Sequence, residues 1–154
     1  MRVEIQRVGR WLAIVAILGA VACGDAVGPS DSEIDTARAL WESAGLTSYR
    51  YDVMTSGGGQ EFSWSIIVSN GVVASATVID SGEGVPPAEL VNVPSVEDLF
   101  GRIEAWKERD PFELEASFHT VFGYPSRIFV NFEEDTDGDE FTITVLSGPV
   151  GLAN

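Results

Sequence analysis

The chain has 154 residues, 24 acidic and nine basic, for a formal net charge of −15, and its length suits one modest domain. Its first 22 residues hold Arg2, Arg7 and Arg10 against only Glu4, so 23 acidic and six basic residues follow, or −17; such a polyanion repels phosphate backbones and argues against DNA or RNA as partners. At 45% hydrophobic and 10% aromatic the chain can bury a core, whereas one Cys and one His exclude an internal disulfide and a His-rich metal site.

At the amino terminus, the three arginines precede an uncharged run from Trp11 to Ala22, too short for a permanent membrane helix and suited to a secretory signal. The run ends in Ala20-Val21-Ala22-Cys23-Gly24, where small residues precede the only cysteine. This arrangement resembles the lipobox of bacterial lipoproteins, with Ala20 standing where leucine is usual. The resemblance implies that residues 1–22 are a lipoprotein signal peptide and that Cys23 is diacylated after cleavage just before it. Acyl chains anchor a protein firmly because each buried methylene contributes about 0.8 kcal/mol. The alternative is an ordinary cleaved signal with an incidental thiol. Gly24 is not the aspartate that marks inner-membrane retention, so an outer membrane, where the cell has one, is an allowed destination.

Residues 23–31 are polar and rich in breakers and read as a flexible tether, with one domain expected over 32–148 and a C-terminal tail over 149–154. Ser32 with Asp35 fits a capping box, and Ile34, Ala37, Leu40, Trp41 and Ala44 recur at helical spacing up to Gly45. Tyr49, Tyr51 and Val53 then alternate with polar residues as a strand, ending in Gly57-Gly58-Gly59. Phe62, Trp64, Ile66 and Val68 make the next strand, and Asn70-Gly71 is a strong hairpin signal. A two-residue turn pairs Val68 with Val73 and sets Ser75 and Thr77 beside Ile66 and Trp64. The returning strand is more apolar in the other set, Val72, Ala74, Ala76 and Val78, so either a bulge shifts the register or both faces are partly covered.

Ser81 to Pro94 is a connection, after which Ser95 and Asp98 offer a second capping box and Val96, Leu99, Phe100, Ile103 and Trp106 form an apolar helical stripe. Three further alternating runs follow: 112–118, 128–132 and 141–145. Between the first two, Tyr124-Pro125 carries the raised cis propensity of an X-Pro bond. The element order αβββαβββ predicts an α+β, two-layer fold of two similar halves, with both helices on one face of an antiparallel sheet.

Trp41, Tyr49-x-Tyr51, Asn70-Gly71, the stretch Val93 to Phe100, Gly123-Tyr124-Pro125 and Asp139-Glu140 together resemble a family of uncharacterised bacterial lipoproteins over most of residues 36–146. That resemblance implies a location and a fold, with no activity to transfer. Relatives often carry cysteines after Tyr-x-Tyr, where this chain has Gly57-Gly58-Gly59. The helix-then-sheet order is also loosely similar to PepSY domains and the beta-lactamase inhibitor protein, which bind peptides or proteins; likeness of fold alone is a weak warrant for function.

No catalytic set stands out. His119 lies on the polar side of its strand beside Glu115 and Ser117 and reads as a solvated strand-face residue, and no Gly-x-Ser-x-Gly elbow is present. Lys107, at a helix end, has no serine near it in sequence. Glu113 with Glu115 reads as an exposed strand face. The acidic run 133–140 offers Asp135, Asp137 and Asp139 as weak metal candidates, but Gly138 falls fourth rather than sixth, and Asp137-Gly138 suits a hairpin turn. Trp41, Trp64 and Trp106 lie on apolar stripes and are assigned to core packing. The expected function is therefore a non-catalytic lipoprotein of the cell envelope, lipid-anchored at Cys23, facing away from the cytoplasm and binding a protein, peptide or small ligand without a cofactor. The alternatives are a metal-dependent hydrolase using the acidic loop and a purely structural role in envelope assembly.

Overall fold

A computed structural model describes residues 28–134, 136 and 138–152. The signal peptide, Cys23, most of the expected tether, Asp135 and Asp137 lie outside the described residues.

Helix α1 (Asp31–Ser43) starts two residues earlier than Ser32 and Asp35 suggest, because Ser30 is its N-cap. The Ser30 hydroxyl accepts from the Glu33 amide at 3.3 Å, and the Ser30 amide donates to Glu33 Oε2 at 2.8 Å. The Ser-x-x-acid pattern occurs twice here, and a tertiary contact favours the first: Lys107 Nζ, at the end of the second helix, donates to Pro29 O at 2.9 Å and meets Asp31 Oδ1 at 2.6 Å. This start turns Ile34, Ala37 and Trp41 inward and leaves Leu40 partly exposed. Helix α2 (Val96–Lys107) begins as expected, with Ser95 and Asp98 forming the capping box.

Strands β1 (Tyr49–Gly57), β2 (Gln60–Ser69) and β3 (Val72–Val78) form one meander, and β4 (Glu113–Phe118), β5 (Pro125–Asn131) and β6 (Phe141–Gly151) another. They join in a six-stranded antiparallel sheet of order β3-β2-β1-β6-β5-β4, so the first strand of one half pairs with the last of the other. Strand β6 runs on to Gly151, through the stretch expected as a tail, because Tyr49 and Arg50 of β1 pair with Gly151 and Val150.

The hairpin register is settled by a bulge. Asn70 and Gly71 take φ of 51° and 77°, the left-handed pair that a two-residue turn requires. Val68 pairs with Val73, but beyond the irregularity Ile66 faces Ala76 and Trp64 faces Val78. One extra residue in β3 thus turns Ala76 and Val78 to the core and Ser75 and Thr77 to the outer face.

The inner face carries Tyr49, Tyr51 and Val53 from β1, Ile66 and Val68 from β2, Ile143 from β6, Ile128 and Val130 from β5 and Leu114 from β4, all buried. Both helices cover this face, running antiparallel with Arg38 of α1 paired to Glu104 of α2. Phe100 and Ile103 of α2 are fully buried beneath them. The protein is an α+β domain with helices on one side of an antiparallel sheet. Among the described residues no helix is long and apolar enough to cross a membrane. No described peptide bond is cis, so Tyr124-Pro125 is trans.

Candidate functional site

Of the motifs that carried the sequence resemblance, Trp41, Tyr49, Tyr51, the stretch from Val93 and Tyr124 converge at the start of α2 and serve the fold, while Asn70-Gly71 makes the β2–β3 turn and Asp139-Glu140 precedes β6. Tyr49 Oη donates to Glu97 Oε2 at 2.7 Å and accepts from the Val96 amide at 2.9 Å. Trp41 Nε1 donates to Glu97 Oε1 at 2.9 Å, and Tyr51 Oη donates to Pro94 O. Trp41 also meets the rings of Tyr49 and Tyr124 edge-on, at 5.2 and 6.4 Å between centroids. Burial pushes both tyrosine hydroxyls well above their ordinary range, with Glu97 reinforcing the effect at Tyr49 and Asp98 at Tyr51. They remain protonated near neutrality and act as hydrogen-bonded pegs tying β1 to α2. Gly148 belongs to the same assembly, since a Cβ there would lie 2.5 Å from Tyr124 Oη.

At the far end of α2 the helix layer leaves a corner of the sheet uncovered, forming a cleft of about 310 Å³. Phe62 and Trp64, two apart on β2, point to the same side and stack at 5.8 Å with an interplanar angle of 8°. Arg102 and Trp106, four apart on α2, share a helix face. Trp106 meets Phe141 at 6.5 Å and Phe132 at 6.4 Å. Gly57 makes room for this cluster, because a Cβ at that position would fall 2.3 Å from Phe141 Cδ1. Thr55, Gln60 and Asn92 complete the polar rim, and Arg102 Nη2 donates to Asn92 O at 3.3 Å. The lining contains one guanidinium and no carboxylate. Trp41 is buried in the core, as expected from its stripe, whereas Trp64 and Trp106 are half-buried: they pack against the core on one side and line the cleft on the other. The spacings Phe62-x-Trp64 and Arg102-x₃-Trp106 place each pair on one face, but nothing in either says that the two faces meet.

A second concavity, a groove of about 800 Å³, runs between α1 and β4. Its far end is closed by the turn after β4, where Gly123 approaches α1 so closely that a Cβ would sit 2.0 Å from Ala37 O; its φ of 76° favours glycine as well. His119 organises this turn and is not a solvated strand-face residue. Its Nδ1 accepts from the Val121 and Phe122 amides at 3.3 and 3.2 Å, and its ring stacks on Tyr124 and Phe122 at 4.7 and 5.4 Å. A register shift between Ser117 and Phe118 ends the alternation on which the strand-face reading rested.

The acidic run forms a connection over 132–140, too long for a two-residue turn at Asp137-Gly138. Asp139 is half-buried, and neither of its carboxylate oxygens has a hydrogen-bond partner among the described residues. Among those residues, no three His, Cys, Asp or Glu side chains are grouped to hold a metal ion. Glu113 and Glu115 are exposed on the outer sheet face, where Glu115 pairs with Arg127 at 3.0 Å. Lys107 is engaged with Pro29 and Asp31.

Comparison with curated proteins and with solved structures returns no match. A family model does match, over residues 33–147, which takes in all of α2, α1 except its first two residues and the sheet except for the end of β6. The chain belongs to this family of unknown function, DUF6174.

Proposed function

We propose that the protein is a lipid-tethered binding module of the cell envelope, not an enzyme, and that its aromatic cleft takes a small apolar anion. One observation carries the ligand class. In a chain of net charge −15, this cleft is lined by aromatic rings and one guanidinium and by no carboxylate. Phe62, Trp64, Trp106 and Phe141 supply flat apolar walls, while Arg102 supplies a planar donor fork suited to a carboxylate or sulfonate. Its volume lies at the small end of ligand pockets. The tether rests on the basic amino terminus, the apolar run and the placement of Cys23 at its end. An anchored domain needs no cation or nucleophile for such a role.

The test is calorimetric titration of the full chain in lipid nanodiscs with 2-naphthoate, with 2-naphthylmethanol as the neutral comparison and empty nanodiscs as the blank. The anion is expected to bind more tightly than the alcohol and to shift the indole N–H resonances of Trp64 and Trp106. Arg102→Gln should weaken naphthoate by about 10- to 100-fold, the loss of one charge-assisted hydrogen bond of about 1.5–3 kcal/mol, and leave the alcohol unchanged. Equal affinity for both compounds, or binding that Trp106→Ala leaves intact, would overturn this reading.

A further inference from the structure

The two edges of the sheet are treated differently. Outside β3, the chain folds back so that the Val78 amide donates to Glu83 O at 2.9 Å and the Val85 amide donates to Ala76 O at 2.8 Å, with Thr77 and Gly84 bridged. That edge is covered at its Ala76–Val78 end. Outside β4, no backbone hydrogen bond of residues 113–118 is made on the side away from β5 among the described residues. An open strand edge is a template for another strand, and proteins usually blunt it. Here it instead borders the groove beneath α1.

We propose that β4 and this groove form a docking site for an extended peptide segment that alternates cationic and apolar side chains, added to the sheet as a seventh strand. Such strand addition draws affinity from main-chain hydrogen bonds and specificity from alternate side chains. On the helix side the new strand would lie against Ala116 and Phe118 of β4 and face the α1 wall, where Ser32, Glu33 and Thr36 are polar and Ala37 and Leu40 apolar, with Leu40 39% exposed. Its side chains there are apolar. On the outer side it would run beside Glu113 and Glu115, both exposed. The groove lining contains no lysine or arginine, and Arg127 reaches only Glu115. Its side chains on that side are therefore Lys or Arg. A second copy of this chain fits poorly, because it would bring a further net charge of −15 and set the Glu113 and Glu115 rows of two strands on one face.

The probe is a synthetic peptide of alternating Lys and Val, as long as β4, titrated into the full chain in nanodiscs. Three controls accompany it: the same composition in two blocks, the same sequence N-methylated at alternate residues, and an alternating Glu-Val peptide. Saturable binding of the first peptide is expected, with new hydrogen-exchange protection confined to the amides of 113–118 and with Trp106→Ala without effect. N-methylation on the bonding edge, or the double variant Glu113→Lys/Glu115→Gln, should weaken it by about tenfold or more. Equal binding of the block or N-methylated peptides would reduce the effect to unspecific attraction by a polyanion and overturn the proposal. So would the absence of saturable binding. Protection of 113–118 that grows with protein concentration before any peptide is added would make a second copy the occupant and equally overturn it.

Discussion

Raising the pH titrates the pegs that hold β1 to α2. Tyr49 and Tyr51 have 0% and 1% of their surface exposed, and their hydroxyls donate to Glu97 and to Pro94 O. Burial raises both above the ordinary tyrosine value of about 10, so the folded state holds two protons that the unfolded chain gives up. The sign follows from this. Stability from these groups is fully present below the unfolded value and falls as pH rises past it. One unit above, at about pH 11, each group costs about 1.4 kcal/mol, or about 2.8 kcal/mol for the pair, a large part of the 5–15 kcal/mol of a typical domain. The sequence has three tyrosines and one lysine, so few other groups obscure the effect. Urea unfolding followed by circular dichroism should show a midpoint steady up to about pH 9 and dropping steeply above about 10. Tyrosinate absorbance should lag behind a free tyrosine standard and rise for these two residues only as structure is lost. A midpoint unchanged to about pH 11, or all three tyrosines ionising near pH 10 with the dichroism still native, would refute the reasoning.

Phe100, fully buried and stacked on Phe118 at 6.0 Å, joins α2 to β4, so Phe100→Ala should cost about 3–5 kcal/mol in chemical denaturation, whereas Phe112→Ala at a half-exposed site should cost under about 1 kcal/mol. Metabolic palmitate labelling should mark the parent protein and send it into the detergent phase, and Cys23→Ser should remove both behaviours; unlabelled parent released from cells would exclude a lipid anchor at that cysteine. Millimolar calcium should leave the melting temperature unchanged, and Asp135→Asn with Asp137→Asn should hold or slightly raise it; a calcium-dependent rise that this pair of changes abolishes would bring the metal-dependent hydrolase forward, since a ligand of the native state alone stabilises by about 2.7 kcal/mol at a hundredfold excess over Kd.

Much of the architecture is local and was legible in the chain. Period-two runs such as Tyr49-x-Tyr51-x-Val53 and the helical stripe from Val96 to Trp106 state element type and buried face, because backbone geometry sets those periods. Ser95 with Asp98, and Asn70 with Gly71, mark an N-cap and a turn through bonds or dihedrals contained within a few residues. Choices between equivalent local signals needed distant partners. Lys107 selects Ser30 over Ser32 as the cap, the match of Ala76 and Val78 to the core selects the bulge in β3, and pairing with β1 extends β6 to Gly151. His119 left its expected face because the turn after β4 offers it two amides and an aromatic stack.

Both candidate binding surfaces belong to this second class. The chain itself declares the acidity, the two helices, the six strands and the shared face of each aromatic pair. Only the strand order β3-β2-β1-β6-β5-β4 puts Phe141 beside Gly57, sets the end of α2 as a wall of that corner and leaves β4 as an open edge next to α1. The physical reason is one of range: capping, turn geometry and periodicity act over a few residues, whereas a cleft or an edge is created by side chains and backbones far apart in the chain that meet when the two meanders and two helices bury their apolar faces together.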